Sequence, residues 1–190
     1  MTKAPLRVAI IIGSTREGRF GPTVGTWFAE LARQRDDLAV DVVDVADEPP
    51  PAALGAPPSE AFSGVTRTLH EADAYVVVTC EYNHSFPGTL KNLIDTHFHE
   101  WRAKPVAFVS YGGLAGGLRS VEHLRGVFAE LHAVTVRDTV SFHHPWNWFG
   151  NDGRPNDPEG ASAAAKGMLD QLAWWGHALR DARAVRPYGG

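Results

Sequence analysis

The chain has one cysteine, Cys80, no run of Lys and Arg longer than two, and no apolar stretch approaching a membrane span. A single thiol excludes an intrachain disulfide and fits a reducing compartment. The longest apolar stretch, Val8 to Ile12, is far too short to span a bilayer. The N-terminus has neither the long h-region nor the cleavage site of a signal peptide, so a cytoplasmic protein is expected, with no membrane association. A net charge of −4 without basic runs gives no electrostatic footprint for nucleic acid or an anionic membrane surface. What is present is ordinary globular material: 190 residues, 44% hydrophobic and 21% charged, enough for one sizeable core. A single domain over residues 1–190 with a small-molecule ligand is the expectation.

Leu6 to Ile12 is a continuous apolar run ended by Gly13-Ser14, the pattern of a strand buried on both faces. Pro22 suits a first helical position, and Val24, Trp27, Phe28 and Leu31 recur at helical spacing to about Gln34. Leu38 to Val45 reads as the second strand, followed by a proline-rich stretch from Pro49 to Pro58 that suits neither sheet nor helix. Ser59 is placed to cap a helix carrying Phe62, Val65 and Leu69, and Ala74 to Cys80 is the third strand. A helix is predicted from about Gly88 to Trp101, then strand four from Pro105 to Tyr111. A further helix follows over Leu118 to His132, and strand five over Val134 to Phe142. An aromatic loop from His143 to Gly160 leads to a last helix, with a loose tail expected after Ala184. Five strands alternating with five helices give an α/β doubly wound parallel sheet with helices on both faces; periodicity alone does not give the strand order, but five strands with a phosphate-type loop after the first suit 2-1-3-4-5. Ligands of such sheets sit beyond the carboxyl ends of the strands, so the loops Ser14 to Gly21, Glu81 to Pro87 and Gly112 to Gly117 should converge.

The first of these loops places glycines, two hydroxyls and two guanidiniums directly before a helix N-terminus, where free amides favour an anion. Arg16 and Arg19 are expected to fork onto phosphate oxygens, with Ser14 and Thr15 adding hydroxyl donors. An ATPase P-loop would need Lys then Ser or Thr after its second glycine, and Arg19-Phe20 stands there. A dinucleotide fingerprint would need glycine at Thr15, although Asp44 near the end of strand two keeps that reading open. One terminal phosphate fits better than two bridged ones. The loop after strand three holds an aromatic and several hydrogen-bonding groups, Glu81-Tyr82-Asn83-His84-Ser85, that can lie along a flat ring. Tyr111-Gly112-Gly113-Leu114-Ala115-Gly116-Gly117 frees backbone amides to meet a heteroaromatic edge. Phosphate at one end and a ring at the other describe a flavin mononucleotide.

Gly13-Ser14-x-Arg16, Glu81-Tyr82-Asn83-x-x-x-Pro87-Gly88-x-Leu90-Lys91-Asn92 and the double-glycine loop resemble the NADPH-dependent FMN reductase family over roughly residues 6 to 142. The resemblance implies flavodoxin-like homodimers or homotetramers that bind FMN and take two electrons from NAD(P)H to a flavin, quinone or similar small acceptor. It implies that Ser14, Arg16 and the turn through Phe20 and Gly21 hold the phosphate. Glu81, Tyr82, Asn83, Gly112, Gly113, Gly116 and Gly117 would border the isoalloxazine. Many relatives have Pro where this chain has Cys80, and a second Ser or Asn where it has Gly18-Arg19-Phe20-Gly21-Pro22.

With FMN bound, hydride passes from nicotinamide C4 to flavin N5 and on to the acceptor, so no catalytic protein residue is required. His84 is placed near the flavin edge, and Trp146 and Trp148 form a substrate-side wall. Those tryptophans with Phe149, Trp174 and Trp175 are read as exposed and as suggesting dimerisation, against ordinary packing under a long loop. No metal is expected at His97-Phe98-His99 or His143-His144, which read as surface or interface histidines. Glu81 is expected to satisfy backbone amides, and Cys80 to be a buried strand-end thiol. The competing readings are a flavodoxin-type electron carrier without NAD(P)H turnover and a nucleotide-binding regulator. The mild net charge and arginine-bearing loop argue for the enzyme.

Overall fold

Strands with no polar face must be covered on both sides, and the chain meets that demand with helices above and below one sheet. The computed structural model describes residues 4–53, 55–57 and 59–189. β1 (Leu6–Ile12) is buried except at Arg7, β3 (Ala74–Cys80) throughout, and β4 (Pro105–Gly112) at all but its last residue. The more polar β2 (Leu38–Asp44) and β5 (Val134–His143) take the edges. The five strands are parallel in the order β2-β1-β3-β4-β5, as predicted. The chain therefore reverses direction across the sheet between β1 and β3, opening a crevice at their carboxyl ends.

α1 (Gly21–Ala32) and α5 (Pro158–Val185) cover one face. There Val24, Phe28, Met168 and Leu172 pack on Val8, Ile10, Val76 and Val109. α2 (Glu60–Glu71), α3 (Gly88–Thr96) and α4 (Leu118–Glu130) cover the other. Phe62, Leu69, Leu93 and Phe128 pack there on Ile11, Val77 and Phe108. Ser59 caps α2, its hydroxyl accepting from the Phe62 amide at 3.1 Å. The proline-rich stretch forms neither strand nor helix over its described residues, and Pro58 lies outside them.

The boundaries differ from expectation where tertiary contacts override local pattern. α3 ends at Thr96, short of Trp101, because His97 turns to an extended conformation and Trp101 folds back under the helix. The wholly buried Trp101 indole donates to the Ile94 and His97 carbonyls at 3.2 and 2.9 Å. His97 is accordingly no surface histidine: it is 3% exposed, its ring between Thr66 and the Leu93 carbonyl. β5 continues to His143, a 3-10 turn occupies Pro145–Asn147, and α5 starts at Pro158, with Asp157 accepting from the Gly160 amide. The tail beyond α5 is held, since Tyr188 hydrogen-bonds to His132 at 2.9 Å. Among the described residues no helix is long and apolar enough to cross a membrane, and no group of three or more His, Cys, Asp or Glu could hold a metal.

At the opposite, amino end of the strands, just before β4, Lys104 enters the core with 8% exposure. Its ammonium donates to the last carbonyls of α2, Leu69 and His70, and to Tyr75 Oη, at 3.2, 2.9 and 3.0 Å. A cation at a helix C-terminus is favourable, but burial and the nearby Arg183 guanidinium push the amine down to about 8 from 10.5. The unfolded chain thus keeps this proton to higher pH than the folded one, and stability should rise as pH climbs between about 8 and 10.5. Relative to Lys104→Met, the wild type is expected to gain about 2 kcal/mol between roughly pH 7 and pH 9.5 in urea unfolding. Parallel pH profiles for the two proteins would remove this linkage.

Candidate functional site at the carboxyl rim of the sheet

The three loops predicted to converge do so at the mouth of the β1/β3 crevice. Tyr111, at the end of β4, donates its hydroxyl to Ser14 Oγ at 2.9 Å. Thr15 Oγ1 lies 3.2 Å from Thr89 Oγ1 at the start of α3. Ser120, on α4, donates to the Cys80 and Ser85 carbonyls at 2.9 and 2.7 Å. The ends of the three inner strands and the starts of α3 and α4 therefore meet at one rim.

The loop 13–20 delivers α1 to this rim with its first turn unspent. Phe20 is the N-cap without a side-chain cap bond, and the first turn carries no acidic residue. Its orphan amides and positive dipole end favour an anion. Arg16 and Thr15 stand at the loop surface, exposed and half-buried. The Arg16 guanidinium joins no ion pair among the described residues. Arg19, expected on the phosphate, is turned the other way. It forks onto Asp44 at 2.6 and 2.9 Å and donates to the Ser14 carbonyl at 2.8 Å, with both charged side chains about 15% exposed. The Asp44 carboxylate that kept a dinucleotide reading open is thereby committed to tying the loop to β2. Ser14 is likewise wholly buried beneath the loop and faces Tyr111. Arg19→Ala should cost about 2 kcal/mol in urea unfolding, because it strands a mostly buried carboxylate. Unaltered stability would show the pair to be idle.

On the ring side, Glu81 is 12% exposed at its side chain and pairs with Arg119 of α4 at 2.7 Å, not with the backbone amides foreseen for it. Its second oxygen, Oε2, is buried with no hydrogen-bond partner. A desolvated carboxylate oxygen without a donor is costly and suits a ligand N–H. Asn83 and His84 take positive φ of 49° and 74°, and the Tyr82 and Ser85 backbones close the turn at 2.8 and 3.1 Å. The His84 ring lies 6.2 Å from that of His123, which bonds to Ser85 Oγ at 3.0 Å. Cys80 is buried, within hydrogen-bonding reach of the Tyr82 and Tyr111 hydroxyls, and burial pushes its thiol up. Burial also raises Tyr82, to about 12.

The glycine loop is shaped as much by packing as by any ligand. Gly117 caps α4 at φ +82°, and a Cβ there would lie 2.9 Å from the Tyr111 amide nitrogen and carbonyl oxygen. The Gly116 carbonyl accepts from Ser110 and Ser141 at 2.9 and 2.8 Å, pinning the turn to β4 and β5. Gly112 faces Glu81, a Cβ there meeting Glu81 Cβ at 3.7 Å, whereas Gly113 opens to free space. Of the aromatic wall, Trp146 and Trp148 are 59% and 40% exposed, but Phe149, grouped with them, is core. It packs at 5.6, 6.0 and 5.0 Å on Phe20, Trp27 and Phe142. Arg119, Ser120 and His123 were missed by the sequence reading. Their α4 positions reach the rim only because that helix packs over β4 and β5 with its start against the end of β3, and no local motif announces them.

An anion-ready helix N-terminus at one end and an orphaned acceptor in a glycine-walled slot at the other define a flavodoxin-like mononucleotide-binding redox protein. The chain belongs to the NADPH-dependent FMN reductase family, which matches residues 6–147. It is 32% identical over 139 residues to an NAD(P)H-dependent FMN reductase of Schizosaccharomyces pombe, covering 66% of this chain and 68% of that one. With a quinone reductase of Pseudomonas putida the identity is 35% over 179 residues, covering 88% and 93%. The fold is similar to a flavoenzyme NAD(P)H:(acceptor) oxidoreductase from Paracoccus denitrificans, with a TM-score of 0.72, 22% identity, and coverage of 91% of this chain and 98% of that one. The protein is thus an FMN-dependent NAD(P)H oxidoreductase, and the residues at the rim fit the group.

Proposed function

We propose that residues 1–190 act as a single cytoplasmic unit that passes two electrons from NAD(P)H to a quinone, a flavin or a similar small acceptor. The observation that carries the reading is the pairing, across one crevice, of the unspent α1 N-terminus under an Arg16 without an ion pair among the described residues with a buried Glu81 Oε2 that has no hydrogen-bond partner among them. FMN, when bound, supplies hydride transfer between donor and acceptor. The chain's own groups bind and orient. Arg16, Thr15 and the amides through Phe20 and Gly21 take the phosphate, Ser14 shapes their loop from below, and Arg19 braces it through Asp44. Glu81 accepts a ring N–H, held in place by Arg119. Tyr82, Asn83 and the backbone of Gly112, Gly113, Gly116 and Gly117 border the ring, supplying amide dipoles where reduction builds negative charge, while Tyr111, read with them from the sequence, turns its phenol under the loop after β1. His84, Trp146 and Trp148 flank the open side, where a flat apolar acceptor fits.

The exposed Trp146, Trp148, Trp174 and Trp175 support a homodimer or homotetramer, in which such rings are covered. Sedimentation of the protein as a monomer at micromolar concentration would remove the oligomer. The redox assignment is tested by the absorption spectrum of the purified protein and by anaerobic mixing with NADPH in a stopped-flow instrument. Rapid bleaching of a bound flavin, with reoxidation on adding a quinone, is the expected result. A flavin that NADPH leaves oxidised would return the protein to the electron carriers.

A further inference from the structure

Ser14 and Tyr111 are 97 positions apart, and both are buried, at 0% and 5% exposure. The phenol donates to the serine hydroxyl at 2.9 Å directly beneath the loop assigned to the phosphate. The first residue of α1 closes over this pair: a Cβ on Gly21 would stand 2.3 Å from Ser14 Oγ and 2.9 Å from Tyr111 Oη. Phe20 packs its ring 6.4 Å from that of Tyr111, on the same spot. The arrangement is a buried strut between β4 and the loop after β1, sized for glycine above it. Burial holds the phenol protonated far above its ordinary range, so it always has a proton to give.

Ser14 makes this contact with its side chain while its carbonyl takes Arg19, so both its polar ends are fixed before any ligand arrives. Thr15 and Arg16, the next two residues, inherit that geometry. We propose that Tyr111 is a positioning residue: by anchoring Ser14 from below it presets the 14–16 turn for a phosphate monoester and so sets the preference for FMN over phosphate-free riboflavin. The inference rests on the phosphate assignment made above and deepens it. Without the phenol hydroxyl, Ser14 Oγ is left buried and under-satisfied, and the loop shifts to relieve it. The ring-side backbone does not follow, because Ser110 and Ser141 pin it independently through the Gly116 carbonyl.

The test is binding of FMN and of riboflavin to the flavin-free full chain, followed by quenching of flavin fluorescence. Tyr111→Phe is expected to raise the FMN Kd about tenfold and to leave the riboflavin Kd within about twofold, so that the preference shrinks by the same factor. Ser14→Ala should act alike, and the double variant should be no worse than either alone, since both remove one interaction. An unchanged FMN-to-riboflavin ratio in Tyr111→Phe overturns the proposal, and so does a parallel loss of both flavins, which is how a merely structural role would read. A wild type that binds neither flavin removes the phosphate site itself. A wild type that prefers FMN, with Tyr111→Phe preferring it equally, removes only the positioning role.

Discussion

Arg16→Ala is expected to weaken FMN binding about 30-fold while leaving riboflavin affinity and folding stability as they are. Of the two arginines in the loop after β1, Arg16 joins no ion pair among the described residues, whereas Arg19 is spent on Asp44. A charge-assisted hydrogen bond to a ligand contributes about 2 kcal/mol, and removing it leaves no buried group stranded because Arg16 is exposed. The effect should therefore appear only with the phosphorylated flavin and should weaken as salt is added. Arg19→Ala should show the converse pattern, with lost stability preceding any lost affinity. Equal FMN affinity in wild type and Arg16→Ala would take the phosphate away from this loop.

Gly117→Ala should cost about 3 kcal/mol of stability and most of the bound flavin. At φ +82° an alanine is strained by about 1–2 kcal/mol. Its Cβ would also press to 2.9 Å on the Tyr111 backbone, which cannot swing away as a side chain could. Relief requires the 112–117 turn to lift from β4, carrying the amides that border the ring out of line. Gly113→Ala is the matched control for folding: the position has no positive φ and nothing within 4 Å, so a change there should leave stability nearly unchanged. Indistinguishable urea midpoints for the two variants would show that the loop is not built on the close approach.

Both expectations depend on side chains whose residue types are plain in the sequence and whose partners are not. Arg16 and Arg19 look equivalent in the chain, three positions apart in one basic loop. What separates them is β2, whose last residue, Asp44, pairs with Arg19 only once the parallel register sets it beside β1, Ile12 opposite Asp44. Glu81 reads as a carboxylate in a turn, but its partner Arg119 is 38 positions away on a helix that no local signal connects to it. Phe149 and Trp148 are neighbours in one aromatic loop, yet one is core and the other open to solvent.

The fold class and the three converging loops were legible in the chain's own pattern, and the strand order followed from five strands with a phosphate-type loop after the first, not from periodicity. Fully apolar runs cannot sit at a wet surface, and a turn before a helix start presents free amides that favour an anion. Helix ends, the inward turn of His97, the division of labour between the arginines, and the Tyr111 strut under Ser14 were decided by tertiary structure alone. They depend on which distant groups packing brings within about 3 Å of one another, and hydrogen bonds and ion pairs at that range have no counterpart in local spacing.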